Sequence, residues 1–263
     1  MKILLVGRAD HHTHPTIQKL IELTENGKKI VDFVDKESFL KVDISEYDMV
    51  CLKWAYYFPE VWEKLKNHPE IVVVNSQSAT EICQDRRKIQ DYLDKEGIRS
   101  PHFARNEKEV QYLDYPIIVK SIDAENHEMN VYQNFEDLPK IDLNKYIYQE
   151  MIPNDGYDYK CYGLGNIIHC LRRKASQAVH HSKKLAEGRE LIEMESESKT
   201  MTRKIGKAMG LDVFGVDYLK HTETGKYYAI DVNIFPGFIG VPKAEIHWLE
   251  YLKKKIEKKT KND

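Results

Sequence analysis

The chain is poor in the features that announce a function directly. No run approaches the roughly 18 uninterrupted apolar residues of a membrane helix, so no spanning segment is expected. Residues 1–7 run straight into a charged turn without a signal-peptide cleavage pattern, which makes the cytoplasm the expected compartment. The four cysteines, Cys51, Cys83, Cys161 and Cys170, are scattered with no Cys-x-x-Cys pair. Neither a zinc site nor a disulfide framework is therefore expected, and each reads as a small buried apolar residue. Neither sign of charge dominates: 40 Lys and Arg face 42 Asp and Glu, for a net charge of −2. That excludes a uniformly basic nucleic-acid coat but leaves local basic clefts open. The glycine-rich Walker loop is missing, so a P-loop nucleotide site is excluded.

The 263 residues are 41% apolar and 10% aromatic, too many for a disordered chain. At roughly 150 residues per domain there is room for about two domains. Residues 2–7, 29–33, 49–53 and 71–75 read as strands, with helices from Pro15 through Leu23, stopped by Gly27, and over 61–66. Short apolar runs alternating with helices predict an α/β layer with a parallel sheet over residues 1–78. A helix is expected over 79–96, ended by Gly97. Strands follow over 115–120, 129–132, 146–152, 157–163 and 167–172, with a hairpin turn at Gly165-Asn166. Residues 179–209 read as charged and mostly helical with a mobile loop expected at Gly188, 213–221 and 226–232 as a second hairpin, and 244–258 as a terminal helix. The expected units are 1–78, 79–148 and 149–263.

The segment richest in chemistry is Phe214-Gly-Val-Asp217, followed after one hairpin by Ile230-Asp-Val-Asn-Ile-Phe-Pro-Gly237. Asp231 and Asn233 are two apart on a strand and share a face, and the hairpin sets Asp217 beside them. Two carboxylates and an amide oxygen suit magnesium, which prefers hard oxygen donors and shares its shell with substrate phosphates. The competing reading is that Asn233 and Gly237 only shape a turn. Lys120 ends the β-branched run Tyr115-Pro-Ile-Ile-Val-Lys120. An inward lysine there is costly unless it meets an anion.

The order of Arg86, Lys120, a linker at 149–152, Lys160, Asp217, and Asp231 with Asn233 resembles the ATP-grasp superfold. Within it the chain resembles the inositol 1,3,4-trisphosphate 5/6-kinase family over most of its length, more weakly in the first fifty residues. The resemblance rests on Asp231-Val-Asn-Ile-Phe-Pro-Gly-Phe-Ile-Gly-Val241, Asn126-His-Glu-Met129, Asp85-Arg-Arg-Lys88 and Asp48-Met-Val-Cys-Leu-Lys53. It implies an α/β ATP-grasp fold with ATP held between two lobes. It also implies an ATP- and magnesium-dependent kinase that phosphorylates a hydroxyl of an inositol phosphate or similar phosphorylated polyol. Lys120, Asp217 and Asp231 would be the catalytic set. Arg86 and Lys120 would hold ATP phosphates, and Gln149, Glu150, Met151 and Ile152 would face adenine. Arg8, Lys53, His127, Lys160, Arg173, Gly237 and Lys243 would face the acceptor. Asp217, Asp231 and Asn233 would hold magnesium, two ions by this resemblance, in a monomer that binds a small polyanion rather than nucleic acid or membrane.

The chain departs from that family in two places. Lys120 reaches His127 through Ser-Ile-Asp-Ala-Glu-Asn, a loop with no glycine whose Asp123 and Glu125 would repel an extra phosphate. The N-terminal turn carries Arg8 where the family has a lysine, and His11, His12 and His14 there favour anion binding over a metal. Two rival readings remain: an ATP-grasp ligase that activates a carboxylate as an acyl phosphate for attack by an amine, and a catalytically silent binding module. If strand alternation holds from Ile167, Arg172 and Arg173 point to opposite faces and only one can enter the cleft; the resemblance selects Arg173.

Overall fold

The computed structural model describes residues 1–54, 58–124, 126–174 and 188–261. The first apolar run forms β1 (Ile3–Gly7), buried along its whole length. Pro15 opens α1 (Pro15–Glu22), where a missing N–H costs nothing, and His14 caps it by accepting from the Thr16 amide. α1 stops at Glu22, one residue short of the expected Leu23. Asn26 and Gly27, both at positive φ, instead turn a short ribbon of β2 (Thr24–Glu25) and β3 (Lys28–Lys29). Gly27 is thus a hairpin residue rather than a helix stop. Then come β4 (Val31–Asp35), α2 (Lys36–Phe39), β5 (Met49–Leu52), α3 (Pro59–Lys66) and β6 (Val72–Val74). The parallel sheet they complete has the order β4-β1-β5-β6.

The single helix expected over 79–96 is two, α4 (Gln77–Cys83) and α5 (Arg86–Lys95). Asp85 leaves the helical region at φ −123°, accepts from the Arg87 amide and bridges to Asp123. Arg86 thereby becomes the first residue of a new helix. An antiparallel sheet follows, built from β7 (Phe103–Ala104), β8 (Ile117–Ser121), β9 (Met129–Tyr132) and β10 (Tyr146–Glu150) in the order β7-β10-β8-β9.

The third sheet contains β11 (Tyr157–Leu164), β12 (Ile167–Lys174) and β13 (Glu190–Ile192). After α6 (Ser196–Ala208), β14 (Val213–Lys220) and β15 (Tyr227–Ile234) complete it, and α7 (Ala244–Thr260) packs beneath. The order is β13-β12-β11-β14-β15, antiparallel throughout. Of the helix expected from residue 179, the part before 188 lies outside the described residues, and 190–192 is strand.

α4 and α5 bury Ala79, Ile82, Cys83, Ile89 and Leu93 against the face of this sheet that carries Cys161, Val216, Tyr218 and Val232. That covers one face and leaves the other for chemistry. The first layer is fastened to the same sheet by Asn75, fully buried, whose amide donates to the Val213 carbonyl and accepts from the Asp212 and Val213 amides. Cys161 and Cys170 are buried as expected, but they are also paired as a disulfide across β11 and β12, with Cα atoms 4.2 Å apart. No helix among the described residues is long and apolar enough to cross a membrane.

Candidate active site

The strand register lines up the chemistry. Lys160 of β11 lies directly opposite Asp217 of β14, and Asp217 directly opposite Asp231 of β15. One straight row therefore crosses three strands on the face left open by α4 and α5. Asn233, two residues beyond Asp231, is paired with Gly215 on the same face. Lys160 Nζ sits 2.9 Å from the Asp217 carboxylate, and Asn233 Nδ2 donates to Asp217 Oδ2 at 2.7 Å. Burial works against the Lys160 charge, yet Asp217 and its neighbours hold its pKa above the ordinary lysine value.

Lys120 at the end of β8 faces this row from the second sheet, with Nζ 3.4 Å from the Ile230 carbonyl. Burial pushes its pKa down to about 8, with Asp231 pulling it up and Arg86 adding to the fall. Arg86 is also buried, but not as a free phosphate fork. Its guanidinium donates to the carbonyls of Ser121, Asp123, Ala124 and Asn126 at 2.5 to 3.1 Å and lies 3.8 Å from Asp231. Arg86 thus organises the glycine-free loop after Lys120. Backbone carbonyls turned onto one cation replace the conformational freedom that glycine would have given. Glu125 of that loop lies outside the described residues.

A cavity of about 320 Å³ opens between these walls. Its lining brings together Arg86, Lys120, His127, Lys160, Arg173, Asp217 and Asp231 from the residues expected by sequence. It adds Asn126, Glu128, Met129, Asp158, Leu171, Arg172, Arg189, Tyr218 and Ile230. Asp158 faces Arg173 across the β11–β12 register and pairs with it at 3.1 Å, while Arg172, on the opposite face, pairs with Glu190 at 2.9 Å. The alternation places Arg173 on the cleft face, although Arg172 also reaches the rim.

Other expected residues sit elsewhere. Gln149, Glu150, Met151 and Ile152 do not line this cavity. Gln149 is buried with its Nε2 lacking a partner, and the Glu150 carboxylate accepts from the Asp114 and His102 amides. The amides of Glu150 and Met151 donate to the carbonyls of His102 and Pro116. Most of the linker's polar groups thus serve the fold, because β10 runs on to Glu150. Arg8 folds back on Asp10 in an exposed turn. Lys243 is exposed at φ 53°, the residue that swings the chain into α7. Lys53 is buried and donates to the Phe235 carbonyl at 3.0 Å.

The N-terminal turn meets the Phe-Pro-Gly segment closely. Thr16 donates to the Gly237 carbonyl at 2.8 Å, and a Cβ at residue 237 would fall 2.1 Å from His14 Nε2. Only glycine leaves room for that ring. Burial pushes His11 down to about 3 and His14 to about 4, Lys53 adding to both. Each also accepts a backbone N–H at Nδ1, which protonation would break. His11 and His14 are therefore neutral acceptors at Nδ1, and among the described residues no group of three or more His, Cys, Asp or Glu could hold a metal. Asp158 was legible from sequence, since it is two residues from Lys160 on the same strand. Arg189 carried no such signal, coming from a stretch expected to be helix.

Comparison with known proteins agrees with this geometry. Residues 184–254, which carry α6, β14 and β15, match the inositol 1,3,4-trisphosphate 5/6-kinase ATP-grasp domain. The inositol-tetrakisphosphate 1-kinase of Danio rerio is 25% identical over 228 residues, covering 70% of this chain and 57% of that protein. The chain thus spans little more than half of that relative's length. The human inositol hexakisphosphate and diphosphoinositol-pentakisphosphate kinase 2 is 26% identical over 218 residues, 66% of this chain and 17% of that protein. Among solved structures, D-alanine–D-alanine ligase from Bacillus anthracis superposes with a TM-score of 0.70 at 17% identity, covering 100% of this chain and 99% of that one. The ATP-grasp ligase PsnB superposes with a TM-score of 0.68, at 17% identity and 96% coverage of both chains. The chain has the ATP-grasp fold, and its sequence is similar to the inositol phosphate kinases.

Proposed function

We propose that this chain is an ATP- and magnesium-dependent kinase that transfers the γ-phosphoryl group to a hydroxyl of an inositol phosphate or similar phosphorylated polyol. The observation that carries this reading is the two-walled cavity. Lys120 and the Asp217–Asp231 row face each other as a nucleotide site requires, and a second set, the cations Arg173 and Arg189 with the imidazole of His127, lines the remainder. A nucleotide alone leaves that second set unexplained. A phosphorylated acceptor accounts for it. Sequence similarity to inositol phosphate kinases supports the same acceptor class.

Asp217, Asp231 and Asn233 would hold magnesium, since two carboxylates and an amide on one face are hard oxygen donors without a competing sulfur or imidazole in the row. When bound, the metal supplies neutralisation of charge on the β- and γ-phosphates. The chain's own part is positioning and electrostatics. Lys120 sets a positive charge opposite the row, and Arg86 fixes the loop that carries Asn126 to Met129 into the cavity. Lys160, bonded to Asp217, orients that carboxylate. His127 binds the acceptor, and Lys53 holds the Phe235 backbone from which Gly237 follows.

Incubation with ATP, magnesium and a panel of inositol phosphates tests the proposal. ADP should appear together with a phosphorylated inositol and no free phosphate. Release of free phosphate with pairs of amino acids, and no product from any polyol, would replace the kinase with a carboxylate–amine ligase.

A further inference from the structure

Arg189 enters the cavity immediately before β13, and its surroundings differ from those of the other arginines there. Arg172 and Arg173 are each paired with a carboxylate, Glu190 and Asp158. Arg189 instead donates from Nη1 to the Tyr162 hydroxyl at 2.8 Å and to the Ile239 carbonyl at 3.1 Å. Among the described residues no carboxylate pairs with it, and its Nε is buried without a hydrogen-bond partner. A guanidinium with a shielded, unmet donor and no countercharge is costly to keep. An anion in the cavity beside it would supply the missing countercharge.

The mounting is specific. Tyr162 is two residues from Lys160 on the same strand face, and its ring stacks on Phe238 with centroids 4.6 Å apart. Gly240 has φ 91°, and a Cβ there would lie 2.5 Å from Leu171 Cδ2 and 3.3 Å from Arg189 Cβ, so glycine at 240 suits both the backbone and the close approach of these two side chains. With Nη1 tethered and Nε buried, Nη2 is the guanidinium nitrogen left to donate to a phosphate oxygen. The charge of Arg189 also reaches His14, whose ring lies on Gly237. Arg189 therefore belongs to the side of the cavity that adjoins the N-terminal turn and the Phe-Pro-Gly segment, not to the Lys120 side.

We infer that Arg189 is a ligand for a phosphate monoester group of the acceptor, held in place by Tyr162 and the Ile239 carbonyl. The inference rests on the kinase reading above and adds a binding residue to it. It also sets Arg189 ahead of Arg173, whose charge Asp158 already balances.

Calorimetric titration of the protein, loaded with magnesium and a non-hydrolysable ATP analogue, with inositol 1,3,4-trisphosphate tests this. R189A should weaken trisphosphate binding roughly tenfold to a hundredfold, by the usual strength of charge-assisted hydrogen bonds, with nucleotide affinity unchanged. R189K, which keeps the charge but not the guanidinium, should recover only part of the loss, and it serves as the test variant if thermal melting shows R189A unfolded. Trisphosphate binding by either folded variant at the wild-type level overturns the assignment, as does a loss confined to the nucleotide. If the wild-type protein binds neither the trisphosphate nor any other inositol phosphate of the panel above, the kinase reading falls and the acceptor role of Arg189 falls with it.

Discussion

The two walls of the cavity hold their cations by different means. On the β8 side, Arg86 and Lys120 are met by backbone carbonyls, those of residues in the 121–126 loop and of Ile230. On the β11–β15 side, Lys160, Arg173 and Arg172 are met by the carboxylates of Asp217, Asp158 and Glu190. A carbonyl orients a cation and leaves its charge in place. A carboxylate orients it and cancels the charge. The two lysines record the difference: Lys120 is pushed down to about 8 by burial, whereas Lys160 is held above the usual lysine range by Asp217. Asp231, 3.8 Å from Arg86, is the one carboxylate that acts on the first wall, which under the proposed function keeps its positive charge largely in place for the nucleotide, whereas on the second wall an acceptor must compete with Asp158 and Asp217 everywhere but at Arg189.

The change that breaks this contrast most severely is Asp231→Asn, because Asp231 lies between the walls, 3.8 Å from Arg86 and opposite Asp217. The neutral amide keeps the shape but removes formal charge from the proposed metal shell. Phosphoryl transfer should fall by roughly a hundredfold or more, with the melting temperature little changed. Near-normal turnover at ordinary magnesium concentration would remove Asp231 from the metal site.

Arg86→Ala and Lys120→Ala separate orientation from charge. Arg86 satisfies four carbonyls from a buried position, and its loss should cost about 3 kcal/mol of stability, on the scale of several buried acceptors left unpaired. Lys120→Ala removes a charge that burial disfavours, so stability should hold or rise while the Michaelis constant for ATP increases about tenfold. Equal destabilisation in denaturant melts of the two variants would erase the distinction. On the other wall, Arg173→Ala should lower acceptor kcat/KM about tenfold, at the weak end of a charge-assisted contact because Asp158 already balances it. Arg172→Ala, on the opposite strand face, should change it less than about twofold. The reverse ranking would assign the acceptor contact to Arg172.

Strand alternation and a hairpin were enough to place Asp217, Asp231 and Asn233 on one face, whereas Lys160 at the head of the row entered only through the family resemblance. The same reasoning reaches Asp158. It also reaches the disulfide: a two-residue turn at Gly165-Asn166 sets Leu164 opposite Ile167 and hence Cys161 opposite Cys170. What sequence could not convey was backbone. Arg86 is aimed at carbonyls of a loop 35 to 40 residues away, and Lys53 at a carbonyl 182 residues away. Carbonyls are present at every position and leave no mark in the composition. Arg189 was hidden differently, because its partner Tyr162 and the loop at Ile239 meet it only once the third sheet is formed.

The gentlest probe of the contrast is pH, because it titrates one wall and spares the other. Lys120 has its pKa lowered from 10.5 to about 8, chiefly by burial, with Arg86 lowering it further and Asp231 opposing. Between pH 7 and 9 its charged fraction in the free protein should drop from roughly nine-tenths to one-tenth, and kcat/KM for ATP, which reports the free protein, should fall about tenfold. At saturating ATP the fall should be shallower, since a bound triphosphate favours the charged lysine. Stability moves the opposite way. From about pH 8 to 10.5 the unfolded chain binds a proton that the folded chain has lost, so the Lys120 contribution to stability rises with pH across that window. Lys160, whose pKa is raised, contributes no such change near pH 8. Lys120→Arg supplies the control: arginine stays charged, so the alkaline fall in kcat/KM for ATP should vanish even if the overall rate is lower. A K120R variant that keeps the wild-type fall above pH 8 would show that another group titrates there and that the carbonyl-held wall is not the pH-sensitive one.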